Sequence, residues 1–180
     1  GNVVSSFYST KYQGSLEEML VSPMPNWVIL AGYVTGGVAR GLAVGTIVTC
    51  LSLFFTQLDV HNLGIIVLVV LMTSILFSLG GFINAVFANS FDDIAIVPTF
   101  ILTPLTYLGG VFYSIDLLPD FWASVSQLNP ILYMVNAFRF GILGVSDIPV
   151  GYSLLVICGF IIALFSYCMH LLNTGKGIRK

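Results

Sequence analysis

The chain has 180 residues, 57% of them hydrophobic and only 8% charged, with a net charge of -2 and a mean hydropathy of +1.00. Soluble domains carry about 25% charged residues, so this composition excludes a soluble globular domain, a disordered segment and a basic nucleic-acid binder. It leaves an integral membrane protein.

Gly1 to Thr10 reads as the tail of a hydrophobic segment cut short, which suggests an N-terminal truncation. Lys11 to Asn26 is polar. Within it, Ser15-Leu16-Glu17-Glu18 matches a capping box, in which Ser15 bonds an early backbone N–H and Glu18 reaches back to Ser15. Leu16, Met19 and Leu20 recur at helical spacing, and Pro23 and Pro25 stop the helix. Two readings follow: a membrane-surface helix, or a docking helix for a partner.

A spanning helix needs about 20 mainly apolar residues. Four stretches qualify: Val28–Phe55, Leu63–Ala88, Ile94–Tyr113 and Val150–Leu172. They are long and do not alternate, so the expected fold is all-α, a polytopic transmembrane helix bundle. In the first span Gly37, Gly41 and Gly45 repeat every four residues, the spacing of close helix packing or of a subunit interface. Arg40 interrupts the same span. It either snorkels to the membrane surface or faces a polar cavity and an anionic substrate.

Asp92 and Asp93 are placed to cap the third span, which carries Pro98 and Pro104. Each proline removes a helix hydrogen bond, giving a static kink or a hinge. The connector Ser114–Pro149 holds its own helix signals: Pro119 opens one short helix, and Asn129, Pro130 and Gly144 cap, begin and stop another. Both are too short to span, so a re-entrant helical hairpin is expected on the outer face, with Phe112, Tyr113 and neighbouring aromatics as an interfacial belt or a stacking surface.

Lys11, Lys176, Arg179 and Lys180 fall on one side of a four-span bundle, and the other side carries only Arg139. The positive-inside rule makes the Lys11 loop and the C-terminus cytoplasmic. No Asp or Glu lies within a span, which argues against a proton- or sodium-coupled transporter. There is no phosphate-binding loop, no clustered Cys or His for a metal, and no nucleophile–base pair for proteolysis. An ATP-independent transporter or channel, or a structural scaffold, remains open on these grounds.

Residues Gln13 to Pro23 resemble the cytoplasmic motif of type-2 ABC exporter permeases, Arg-Gly-Thr-Leu-Glu followed by apolar residues and a Pro. The stretch Pro104 to Tyr113, continuing through Leu118-Pro119 and Leu128-Asn129-Pro130 to Arg139, resembles a second signature of that family. Together they are similar to its YadH-like and nodulation-exporter-like branch. Gln13 stands where Arg is usual, and Ser114 where Pro is common. The resemblance implies six spans in the whole protein, a dimer in the bacterial inner membrane, and export of a drug, lipid or polysaccharide. It implies a separate ATPase subunit that carries ATP and Mg, with no catalytic residue or cofactor on this chain. Ser15, Leu16, Glu17, Glu18, Met19 and Leu20 would form the coupling helix on that ATPase. Arg40, Tyr107, Phe112 and Tyr113 are the substrate-path candidates, and Pro119, Asn129, Pro130 and Arg139 mark the exit hairpin.

Overall fold

A computed structural model describes residues 2–57, 59–109, 117 and 119–176. The described residues form helices and connecting turns, with no strand among them. In chain order the helices are α1 (Asn2–Tyr12), α2 (Ser15–Val21), α3 (Asn26–Phe55) and α4 (Leu63–Phe87). Then come α5 (Asp93–Val97), a π-helical turn (Pro98–Leu102) and α6 (Thr103–Leu108). The last are α7 (Asp120–Ser126), α8 (Pro130–Leu143) and α9 (Val150–Thr174). Among the described residues α3, α4 and α9 are long and apolar enough to cross a membrane.

Helix α4 is the axis of the bundle and touches α1, α3, α8 and α9. Its apolar residues form two cores. At one end Leu79, Phe82, Ala85 and Val86 pack with Val3, Val4 and Phe7 of α1, Leu30 of α3 and Leu171 of α9. At the other, Met72 and Leu76 pack with Tyr133, Met134 and Ile157. The second core shows how α8 lies. Its first turns sit against the middle of α4, while Gly141 near its end packs against Ile66 and Asn62 at the start of α4. His61 and Asn62 donate backbone N–H bonds to Ile142 and Gly141 at that same corner.

Helix α3 turns most of its length outward, exposing Val44, Ile47, Val48, Leu51 and Phe54. This is an apolar face suited to lipid. Its hydroxyl residues do not disturb that face, because Thr35, Thr46, Thr49 and Ser52 bond the carbonyl four residues back.

The expected capping box at Ser15 and Glu18 is absent. Gly14 is the N-cap, with φ +78°, and Ser15 is already helical. The reason lies in the preceding residues. The chain is helical through Tyr12, and Gly14 must adopt the left-handed conformation to end α1 before α2 can start. A capping box occurs instead between α4 and α5. Ser90 Oγ accepts the Asp93 N–H at 3.2 Å, and Asp93 Oδ2 accepts the Ser90 N–H at 3.1 Å and the Asn89 N–H at 2.9 Å. The Asn89 amide bond, followed by the Ser90 hydroxyl, holds the Asp93 carboxyl below the usual carboxylate range.

The prolines of the third apolar segment do not break its winding. Pro104 would press on the carbonyl four residues before it. The turn ahead of it widens, and Thr103 N–H bonds Pro98 O, five residues back. The expected span to Tyr113 can be followed to Gly109, and its remainder lies outside the described residues.

Candidate functional site

Two features carry the chemistry of this bundle: a groove along α3 and α4, and the outward face of α2.

The groove exists because two glycines draw the helices together. A Cβ at Gly37 would collide with Ser78 Oγ and with Val3, and one at Gly41 would lie 2.8 Å from Ser74 Oγ. Gly45, the third of the expected stripe, has nothing within 4 Å and does not pack in the bundle. The two contacts also set the register. Gly37 opposes Ser78 and Gly41 opposes Ser74, so Arg40 lies level with the centre of α4. At 1.5 Å per residue that is about 18 Å from either end of α4, further than an arginine side chain spans. An arginine at such a depth costs about 2.5–3.5 kcal/mol on insertion scales.

Arg40 lines a cavity of about 400 Å³ with Val3, Val44, Thr73, Ser74 and Ser78. A second cavity of about 670 Å³ shares Gly41, Thr73, Ser74 and Phe77 with it, and continues between α4, α6 and α8. Its walls are mainly apolar, including Val69, Met134, Val135 and Phe138, with Thr106 and Arg139 as polar points. Neither cavity is lined by a carboxylate among the described residues.

Arg139 is paired. Its guanidinium lies 3.5 Å from Asp147, both side chains being about one-quarter exposed. The turn that carries Asp147 is built by Asn136, which is 3% exposed. Asn136 Oδ1 accepts the backbone N–H groups of Asp147 at 2.9 Å and Ile148 at 3.2 Å. Its amide donates to Ile148 O at 2.8 Å and to Ser153 Oγ at 3.1 Å. Asn129 caps α8 by accepting the Ile131 N–H at 3.0 Å, and donates to Leu105 O at 2.6 Å, tying the hairpin to α6. Pro130 opens α8, Gly144 ends it with φ +73°, and Pro119 precedes α7. Pro98 O takes bonds from both the amide and the hydroxyl of Thr103.

Helix α2 presents two faces. Leu16 is 1% exposed, and Met19 and Leu20 pack against the same core. The apolar face of α2 is thus turned into the bundle. Outward lie Ser15, Glu17, Glu18 and Val21, beside Tyr12 and Gln13. Tyr12 and Val21 are 72% and 85% exposed. The corner is tied down by Lys11, whose Nζ donates to Val86 O at 2.7 Å and Ala88 O at 3.3 Å at the end of α4. Tyr33 adds a bond to Thr10 at 3.0 Å.

Of the substrate-path candidates, Arg40 lines the groove, while Tyr107 is exposed and lines neither cavity. Its neighbour Thr106 does so instead. Phe112 and Tyr113 lie outside the described residues, as do Ser114, Arg179 and Lys180. Sequence reasoning missed Asn136, Lys11 and the hydroxyls of Thr73, Ser74 and Ser78. A polar residue amid Ile131–Leu143, and three hydroxyls at positions 73, 74 and 78 of an apolar helix, were the available signals.

The family profile described as ABC-2 type transporter matches residues 1–143. The chain belongs to the ABC-2 type transporter family. This ABC-2 chain is 54% identical over 179 residues to the inner membrane transport permease YadH of Escherichia coli K12, covering 99% of itself and 70% of that protein. The same figures hold for the permease of that name from Shigella flexneri. It is 21% identical over 171 residues to Nodulation protein J of Rhizobium leguminosarum biovar viciae, covering 95% of itself and 66% of that relative. No solved structure matches it. The all-α, multi-pass architecture is that of a membrane-embedded member of this family.

Proposed function

We propose that this ABC-2 chain is the membrane-spanning permease subunit of an ATP-driven exporter. It docks a separate ATPase subunit, which carries ATP and Mg and performs the hydrolysis. The permease works as a dimer in the bacterial inner membrane, with the Lys11 loop and the C-terminus cytoplasmic. The observation that carries this reading is the build of α2. A short helix has its apolar side anchored by Leu16 and its acidic, exposed side left facing out. Closure of the ATPases would press on this helix. The push would pass to the bundle through Leu16 and through the Lys11 bonds to α4.

The refined docking surface is Tyr12, Glu17, Glu18 and Val21, with Leu16, Met19 and Leu20 as its foundation. The test is co-purification of the ATPase with the double variant Glu17→Lys/Glu18→Lys. Both side chains are exposed, so the bundle should fold as before while ATPase recovery falls at least tenfold. Undiminished recovery would remove α2 as the docking element.

A further inference from the structure

We propose that Phe77 is the partition of a slot between α4 and the third apolar segment, and that its ring decides how far an unbranched apolar chain passes along that slot. The inference goes beyond the exporter reading, since it concerns the permease by itself.

The slot is built from two facing stripes. Val70, Thr73, Ser74 and Phe77 of α4 line the cavity of about 670 Å³, and Phe77, Gly80, Gly81 and Asn84 line a further one of about 240 Å³. These positions recur every three or four residues, so they share one face of α4, about 21 Å long at 1.5 Å per residue. The opposite wall is Thr106 at the first cavity and Leu102, Pro98 and Val97 at the second. The third apolar segment therefore runs back along α4 without closing on it. Two asparagines tie it down on either side of this stretch. Asn84 Nδ2 donates to Ile94 O at 3.2 Å, and Asn129 Nδ2 to Leu105 O at 2.6 Å. Between these ties Phe100 and Ile101 are exposed.

Phe77 stands where the slot is interrupted. It lines both of these cavities and the one of about 400 Å³ beside α3, and no other described residue lines all three. Its neighbours on the stripe are small, Thr73 and Ser74 on one side and Gly80 and Gly81 on the other. A Cβ at Gly80 would meet nothing within 4 Å, so helix packing does not require that glycine, which is unfavourable in a helix interior. What it supplies is room beside the ring. An aromatic residue in a helix has two usual χ1 settings, so Phe77 can swing between them while the backbone stays in place. Val69, Val70, Val97 and Leu102 make the walls apolar on both sides of it. A gap bounded by one stripe on each helix fits a single methylene chain and excludes a broad ring system.

The test uses the full-length permease in neutral-lipid nanodiscs and a hexadecanol that carries a diazirine at the far end of its chain. After illumination, mass spectrometry maps the labelled residues. The signal is scaled to Ile47 and Leu51 on the exposed face of α3, which report the probe in the surrounding lipid. In the native protein, label should fall on residues 69–74 and stay low on residues 80–84 and 97–102. Phe77→Ala should raise label on the latter two stretches at least fivefold, Phe77→Leu should raise it less, and Phe77→Trp should lower it. Adding Gly80→Leu to Phe77→Ala refills the slot and should return the label to its native level. Phe77 also packs on the second core, so each variant is melted first, and Phe77→Leu with and without Gly80→Leu serves if Phe77→Ala unfolds. A residue that only packs would change the melt and leave the label where it was. Equal label on both sides of Phe77 in the native protein, or a pattern indifferent to its replacement, overturns the proposal. So does label nowhere above the α3 reference, since the slot then admits no chain. No ATPase is present, so such a failure would leave the exporter reading standing.

Discussion

Asn136 is the residue on which the hairpin corner depends. One buried amide satisfies two backbone N–H groups and binds both a carbonyl and a hydroxyl, so the turn from α8 into α9 is closed by a single side chain. Replacing it by Leu fills the volume but leaves the amides of Asp147 and Ile148 without acceptors. Each unsatisfied group costs about 1–3 kcal/mol, so Asn136→Leu should destabilise the protein by roughly 2–6 kcal/mol. A thermal melt in detergent would measure this, and an unchanged midpoint would deny Asn136 its role. The residue types at this corner differ in how openly they declare themselves. Asn129-Pro130 and Gly144 are local signals, since a cap and a stop act within a few residues of chain. Asn136 acts eleven to seventeen residues away. An isolated amide in an apolar run does not say which backbone it will hold.

At the scale of the helix, packing is decided by what stands opposite, which periodicity does not show. Gly37, Gly41 and Gly45 look equivalent at four-residue spacing, yet only the first two face α4 closely. A Val at Gly37 must push against Ser78 and Val3, and overpacking of this kind costs about 1–3 kcal/mol. A Val at Gly45 meets open space. Gly37→Val is therefore expected to lower the melting temperature and to separate α3 from α4, seen as lost crosslinking between cysteines placed on the two helices. Gly45→Val should leave both readouts within error. Equal damage from the two would mean that the stripe acts as a unit against some other surface. The same limit explains the misplaced capping box. Ser-x-x-acid occurs at both Ser15 and Ser90, each three residues past a helix end, but α4 closes on an extended residue, Ala88, which leaves Ser90 free to cap. At Ser15 the end of α1 claims Gly14 for its left-handed turn.

Across the whole molecule, the low charge count and long apolar runs made the all-α bundle legible, because the bilayer as solvent permits few alternatives. The inward face of α2 was not legible. Leu16, Met19 and Leu20 form an apolar stripe whether it meets a partner or its own bundle, and only the packing of α1 against α4 settles which. That packing has a mechanical consequence. Lys11 donates to two carbonyls at the end of α4, a charge-assisted contact that also suits the negative helix terminus. Lys11 and Leu16 together fasten the α1–α2 corner to the axial helix, so in the coupling proposed above force applied at Glu17 and Glu18 would pass into α4. Lys11→Met keeps the apolar stem and removes the donors. Amide exchange over Gly14–Val21 should then rise several-fold while α9 stays protected. The ATPase should still co-purify, because Tyr12, Glu17, Glu18 and Val21 remain exposed. Stimulation of the ATPase by the assembled permease should fall, because the corner would yield before α4 moves. Faster exchange with full stimulation would mean that the force travels another way, through Leu16 and the α1 core alone.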